Sequence, residues 1–92
     1  MARRGTIQFE TSRGSVALGY GETKAFQERL SQAPGGRPLE RRIQQAIDDH
    51  TTVVVSDDQA AAAVSVLATW FEELGEVSRE TGELLVMLQG AS

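Results

Sequence analysis

The sequence predicts an α+β fold in which a small mixed sheet is packed by three helices. Two runs near the N-terminus alternate polar and apolar residues, as strands with one buried face do. Later segments repeat their apolar residues every three or four positions, as amphipathic helices do. The length of 92 residues suits a single domain, 1–92, in which we expect 1–4 and 90–92 to be flexible.

An N-terminal β-hairpin is predicted by two alternating runs on either side of a turn. Ile7 and Phe9 lie on one side of the first run, and Val16, Leu18 and Tyr20 on one side of the second. The Ser-Arg-Gly segment between the runs consists of turn residues. The two runs therefore predict the first two strands.

Two short helices are predicted after the hairpin. In residues 22–33, Phe26, Leu30 and Ala33 form a narrow apolar stripe. A Pro-Gly-Gly-Arg-Pro segment ends this helix, because prolines and paired glycines do not continue one. The second helix, 38–48, begins at a proline, whose missing N–H costs little in the first turn.

A strand that leads into a capped helix is predicted in the middle of the chain. Residues 51–55 are β-branched and too few for a helix, so we expect a central strand inside the sheet rather than at its edge. Ser56 and Gln59 have the spacing of a capping box, which predicts a helix over 57–74. Gly75 is a suitable C-terminal cap.

The predicted helix 57–74 has a wider apolar face than an ordinary surface helix. Such a face needs cover from a sheet and a neighbouring helix, or from a sheet and a second subunit. Val66 and Trp70 lie on one margin of it. Trp70 suits either core packing or an anchor at a protein interface, where tryptophan is over-represented. We therefore take Trp70 and Val66 as candidate interaction residues.

The last apolar segment, from Glu83 to Gln89, has no clean period. A buried strand and a short packing helix both fit it. Because Gly82 and Gly90 bracket a run of strand length, we expect a C-terminal strand at 84–88.

The composition excludes several classes of protein. There is no cysteine, which rules out disulfides and thiolate metal sites. No apolar stretch approaches the ~20 residues that span a bilayer, and no secretory signal begins the chain. We therefore expect a cytoplasmic protein without membrane contact. Eight of the nine basic residues are arginine, which suggests a bacterial or phage genome.

Charge is distributed unevenly along the chain. Residues 1–46 have a net charge of +4, from eight basic and four acidic groups, and residues 47–92 have −8, from one basic and nine acidic groups. The halves either face each other across the fold or a dimer, or present surfaces of opposite sign. Arg37, Arg41 and Arg42 lie in or just before the second predicted helix, where they are candidate ligands for a phosphate or a carboxylate.

Residues that would carry catalysis are largely missing. A serine or threonine nucleophile would need His50 or Lys24 as its base, and no nucleophile-elbow pattern is present. A Gly-Tyr-Gly segment after the second strand lacks the third glycine of a dinucleotide-binding loop. Asp48, Asp49 and His50 are of metal-ligand type but lack the spacing of a calcium loop. We expect no enzymatic activity, no cofactor and no metal.

These observations predict a small non-enzymatic interaction protein of bacterial or phage type, a homodimer that acts by binding another macromolecule. One alternative is a transcriptional regulator that binds nucleic acid through Arg37, Arg41 and Arg42. Another is a protein that binds a metal or a small ligand through the Asp48–Asp49–His50 cluster. The sequence does not identify a protein partner.

Overall fold

The structure is a computed structural model that describes residues 5–75 and 78–91. Within these residues the elements follow one another as β1 (Thr6–Thr11), β2 (Gly14–Gly19), α1 (Tyr20–Gln32), α2 (Arg37–Asp49), β3 (Val53–Val54), α3 (Asp57–Leu74) and α4 (Arg79–Ala91). Helices packed on a small mixed sheet confirm the predicted α+β class. Of the predicted flexible ends, 1–4 and 92 lie outside the described residues, and 90–91 belong to α4.

β1 lies at the centre of the sheet, with β2 antiparallel on one side and β3 parallel on the other. Phe9 of β1 pairs with Val16 of β2 and with Val53 of β3, and all three side chains are buried on the same face. A two-residue turn, Ser12 and Arg13, joins β1 to β2. The predicted β-hairpin is therefore confirmed.

β3 is shorter than the predicted strand 51–55, and it lies at the edge of the sheet instead of inside it. Val53 and Val55 are buried, whereas Val54 between them is 47% exposed. The run is thus apolar in sequence but covered on one face only. β-Branched content indicates that a segment suits a strand, and it does not report how many neighbours that strand has.

α1 and α2 lie close to their predicted bounds of 22–33 and 38–48. α1 starts two residues earlier than predicted, so Tyr20 is the first residue of the helix and not part of the strand. α2 begins after Gly36, where a β-carbon would collide with the backbone oxygen of Leu30. Glycine there permits the close approach of α2 to the end of α1.

α3 has the predicted bounds, Asp57–Leu74, and the predicted caps. The Ser56 N–H donates to Gln59 Oε1 at 3.2 Å, which forms the side-chain half of the capping box. Gly75 takes the left-handed conformation, with φ 79°, that a C-terminal cap requires. These local signals sufficed because the capping groups lie within a few residues of each helix end.

The predicted C-terminal strand 84–88 is wrong, since this segment lies in α4, Arg79–Ala91. Thr81, Leu84 and Leu88 are buried, and their spacing of three and four residues places them on one helix face. Ser78 Oγ accepts from the Thr81 N–H at 3.2 Å, a cap for the first turn. The glycines at 82 and 90 do not end the element.

α4 runs antiparallel to β2, and both contribute side chains to the same hydrophobic core. At one end Arg13 Nη1 donates to the Gly90 carbonyl at 3.3 Å. At the other end Ser78 Oγ donates at 2.9 Å to Oε1 of Glu22, which lies in the first turn of α1 just after β2. Among the described residues, the helices cover one face of the sheet and leave the other face exposed. In the described part of the chain, no helix is long and apolar enough to cross a membrane.

Candidate interaction surface

Trp70 and Val66 lie inside the single chain, with 5% and 6% of their surface exposed. The guanidinium carbon of Arg29, from α1, lies 5.2 Å from the centroid of the Trp70 ring. The same guanidinium pairs with Glu73 Oε1 at 2.7 Å, which joins the basic half of the chain to the acidic half. α1 thus covers Trp70, and neither candidate residue offers an exposed anchor.

The three candidate arginines of α2 are exposed but do not converge. Arg37 and Arg41 are about one helical turn apart, so they face the same side. Arg42 lies about 100° further round the helix. Its Nη1 donates to the Val54 carbonyl through a long hydrogen bond of 3.5 Å. Two of the three charges therefore face solvent, and the third lies against the edge of β3.

The acidic candidates around His50 do not form a metal site. Asp48 accepts from Gln44 Nε2 at 2.9 Å, and Asp57 accepts from Ser12 Oγ at 3.2 Å. His50 caps α2 in the left-handed conformation, with φ 58°. Among residues 5–75 and 78–91, no group of three or more histidine and carboxylate side chains is placed to hold a metal ion.

The outer edge of β2 carries backbone groups that point away from the sheet. The Tyr20 N–H donates to the Gly5 carbonyl at 2.6 Å, which continues the β1–β2 ladder. Bonded and non-bonded pairs alternate along an antiparallel ladder. The even-numbered residues of β2 therefore bond β1, and Ser15, Ala17 and Gly19 direct their N–H and C=O groups outwards.

Most of these outward groups have no partner among residues 5–75 and 78–91. The Gly19 carbonyl accepts from Thr23 Oγ1 at 2.9 Å. For Ser15 and Ala17, no other bond is formed with the part of the chain described here. β2 also lacks the charged residues, prolines and bulges with which proteins usually protect an edge strand. Four backbone groups are thus free to pair with another strand.

An apolar patch on α4 lies beside this edge. Val86 is 67% exposed, more than any other large apolar side chain among the described residues. With Leu85 and Met87 of α4, Phe71 of α3 and Ser15 of β2, it lines a shallow depression of about 560 Å³, to which Arg79, Gly82 and Glu83 also contribute. Because Ser15 belongs to both features, the free edge and the apolar patch are continuous. We call them together the β2–α4 surface: the edge at Ser15 and Ala17 with the patch around Val86.

The sequence does not reveal the β2–α4 surface, because its pattern predicts a strand at 84–88 where the structure has the helix α4. The signal for the helix was present in the serine at position 78, followed by Thr81, Leu84 and Leu88 at helical spacing. The edge position of β2 had no local signal. It depends on where β3 pairs, which a single sequence does not reveal.

Comparison with known proteins does not assign the chain to a family. No protein-family model matches it, and no curated protein or solved structure matches it significantly. The functional interpretation therefore rests on the surfaces described above.

Proposed function

We propose that this chain is a small non-enzymatic interaction protein, of bacterial or phage type, that associates with another macromolecule through the β2–α4 surface. The observation that carries the proposal is the continuity of an unpaired strand edge with the most exposed large apolar side chain of the described residues, Val86. Neither the outward backbone groups of Ser15 and Ala17 nor the Val86 side chain contributes to the interior of the single chain. Both gain from burial against a partner.

Strand addition explains why the two features belong together. A strand that pairs with a free edge gains main-chain hydrogen bonds, and apolar contacts beside the edge add specificity. Each hydrogen bond contributes about 0.5–1.5 kcal/mol net. Apolar surface contributes about 25 cal/mol for every Å² that a partner covers. Association at this surface therefore has both a directional and a non-directional source of affinity.

A capture experiment with two valine variants tests the proposal. Val86→Asp places a charge in the patch, and Val54→Asp makes the same change at an exposed valine on the opposite edge of the sheet. We expect the wild type and Val54→Asp to retain the same partner from a cell extract, and Val86→Asp to lose it. Circular dichroism checks that both variants are folded. Equal retention by both variants contradicts the proposal, and so does the absence of any Val86-dependent association, either with a retained partner or between copies of the chain.

Nucleic-acid binding is a second candidate, favoured by the exposed pair Arg37 and Arg41. In the part of the chain that the structure describes, neither forms an ion pair. The affinity for duplex DNA should fall with salt, and Arg37→Ala/Arg41→Ala should reduce the slope of log K against log salt by up to ~2. Lys24→Ala, an exposed cation on α1, is the control. Absent or salt-independent binding excludes this candidate.

A further inference from the structure

We infer that the β2–α4 surface binds a second copy of this chain; this inference rests on the proposed function and names its partner. The two β2 strands pair antiparallel about a two-fold axis that passes between the two Val16 residues. Ser15 then lies opposite the partner subunit's Ala17, and Ala17 opposite the partner subunit's Ser15. Two three-stranded sheets join into one continuous sheet, with both helical layers on the same side.

The first argument is the match of hydrogen-bonding groups. The free donors and acceptors of β2 belong to two residues that are two positions apart, Ser15 and Ala17. In an antiparallel pair whose two-fold axis passes between Ser15 and Ala17, Ser15 of one copy lies opposite the partner subunit's Ala17. The N–H of each residue then donates to the C=O of the other. Every free group at these two residues is then satisfied. A two-fold interface requires such self-complementarity.

The second argument is the placement of charge. β2 carries no charged residue, so the axis brings no like charges together. Along the strand, Arg13 lies at one end, and the first turns of α4, where Glu80 and Glu83 outnumber Arg79, lie towards the other. Antiparallel pairing therefore brings the Arg13 end of each copy towards the acidic helix start of the other. The ends of the interface are complementary in sign.

The third argument is the position of the apolar patch. α4 runs along β2, so the two-fold axis brings α4 of each copy alongside α4 of its partner. Ser15 and Met87 extend the patch to the β2 side of α4, so it borders the line along which the two α4 helices would meet. Burying the two patches against each other removes apolar surface that the single chain leaves in water. A small chain with a limited core gains from this additional burial.

The oligomeric state of the full chain tests the inference, by sedimentation velocity over a range of concentrations. Ala17→Pro removes an outward N–H without removing a bond to β1, and Val54→Pro makes the equivalent change at the opposite edge. We expect a wild-type dimer, a dissociation constant raised on the order of 100-fold by Ala17→Pro, and no change with Val54→Pro. A monomer at all concentrations, or an unaffected Ala17→Pro dimer, overturns the inference.

Charge pairs on the open face of the sheet test the register and do not depend on proline being tolerated. In the inferred register, Ser15→Lys/Ala17→Lys places like charges opposite each other in both symmetric pairs, and Ser15→Glu/Ala17→Lys places opposite charges there. We expect the first variant to be monomeric and the second to remain dimeric. Equal behaviour of the two variants overturns the inference.

A monomeric wild type that still captures another protein in a Val86-dependent manner overturns only the inference that the partner is a second copy. Loss of Val86-dependent association of every kind overturns the proposed function as well.

Discussion

The two edges of the sheet differ in how many backbone groups they direct outwards and in whether a charged side chain lies beside those groups. At the β3 edge only Val54 directs its backbone groups outwards, because Val55 donates to the Glu10 carbonyl at 2.9 Å on the inner side. The outward carbonyl of Val54 is contacted by Arg42 at 3.5 Å. At the β2 edge, Ser15 and Ala17 direct their groups outwards with no charged residue in the strand.

This difference separates an edge that is protected from one that is available. A short strand next to a charged side chain resists pairing with other chains, because pairing would displace or bury the charge. A six-residue strand with small side chains has no such obstacle. The contrast favours β2 over β3 as the edge for the proposed association. It also assigns Arg42 to protection of β3, which leaves Arg37 and Arg41 as the solvent-facing pair.

The largest expected effect concerns α4, the helix that lies beside β2. Leu84 is fully buried, so Leu84→Ala should lower the free energy of unfolding by about 3 kcal/mol. Val86→Ala, two residues away and exposed, should change it by less than about 0.5 kcal/mol. Urea denaturation at low protein concentration measures both. Equal effects would instead favour a strand, in which residues 84 and 86 share a face.

The next effect concerns the point where α4 contacts the start of β2. Gly14 has φ 145°, and a β-carbon there would lie 3.1 Å from Met87 Sδ. Gly14→Ala should therefore destabilise the chain by about 2 kcal/mol, mainly through backbone strain. Gly21→Ala is the matched control, because no atom lies within 4 Å of a β-carbon at Gly21. Thermal melting should show a loss of stability for Gly14→Ala and none for the control.

Features determined by neighbouring residues were predictable from the sequence. The hairpin follows from alternation, and α3 follows from Ser56, Gln59 and Gly75, all of which act within a few residues of the helix ends. The helix α4 was missed because its glycines resembled turn residues. Gly82 lies inside the helix and faces Phe71, where a β-carbon would be at an ordinary contact distance of 3.5 Å.

Features determined by distant residues were not predictable. The wide apolar face of α3 was anticipated, but α1 covers Trp70 through Arg29, a contact between residues far apart in sequence. The edge position of β3 depends on which side of β1 it pairs with, and no further strand among the described residues pairs with β3 in the sheet. The candidate site moved from α3 to β2 and α4 for the same reason, since a strand edge is free only in relation to the rest of the sheet.

A smaller effect should appear in the exchange of single amide protons with solvent. If β2 pairs with a partner, the amides of Ser15 and Ala17 become hydrogen-bonded as the protein concentration rises. We expect their exchange to slow by about 10-fold between dilute and concentrated samples. The amide of Val54 should exchange at the same rate in both. Residue-resolved NMR hydrogen exchange measures all three, and a concentration-independent rate at Ser15 would speak against pairing at β2.

The smallest effect is expected at the protected edge. Arg42→Ala removes an exposed side chain, so the free energy of unfolding should change by less than about 0.5 kcal/mol. It also leaves the outward groups of Val54 without a neighbouring charge. Weak, concentration-dependent assembly beyond the mass of the wild-type protein should follow, because β3 then becomes available for pairing. Light scattering measures this, with Arg41→Ala as the control, since Arg41 does not contact β3. Arg42→Lys keeps the charge and should restore the wild-type mass, whereas identical behaviour of all three variants would show that the short length of β3 alone protects this edge.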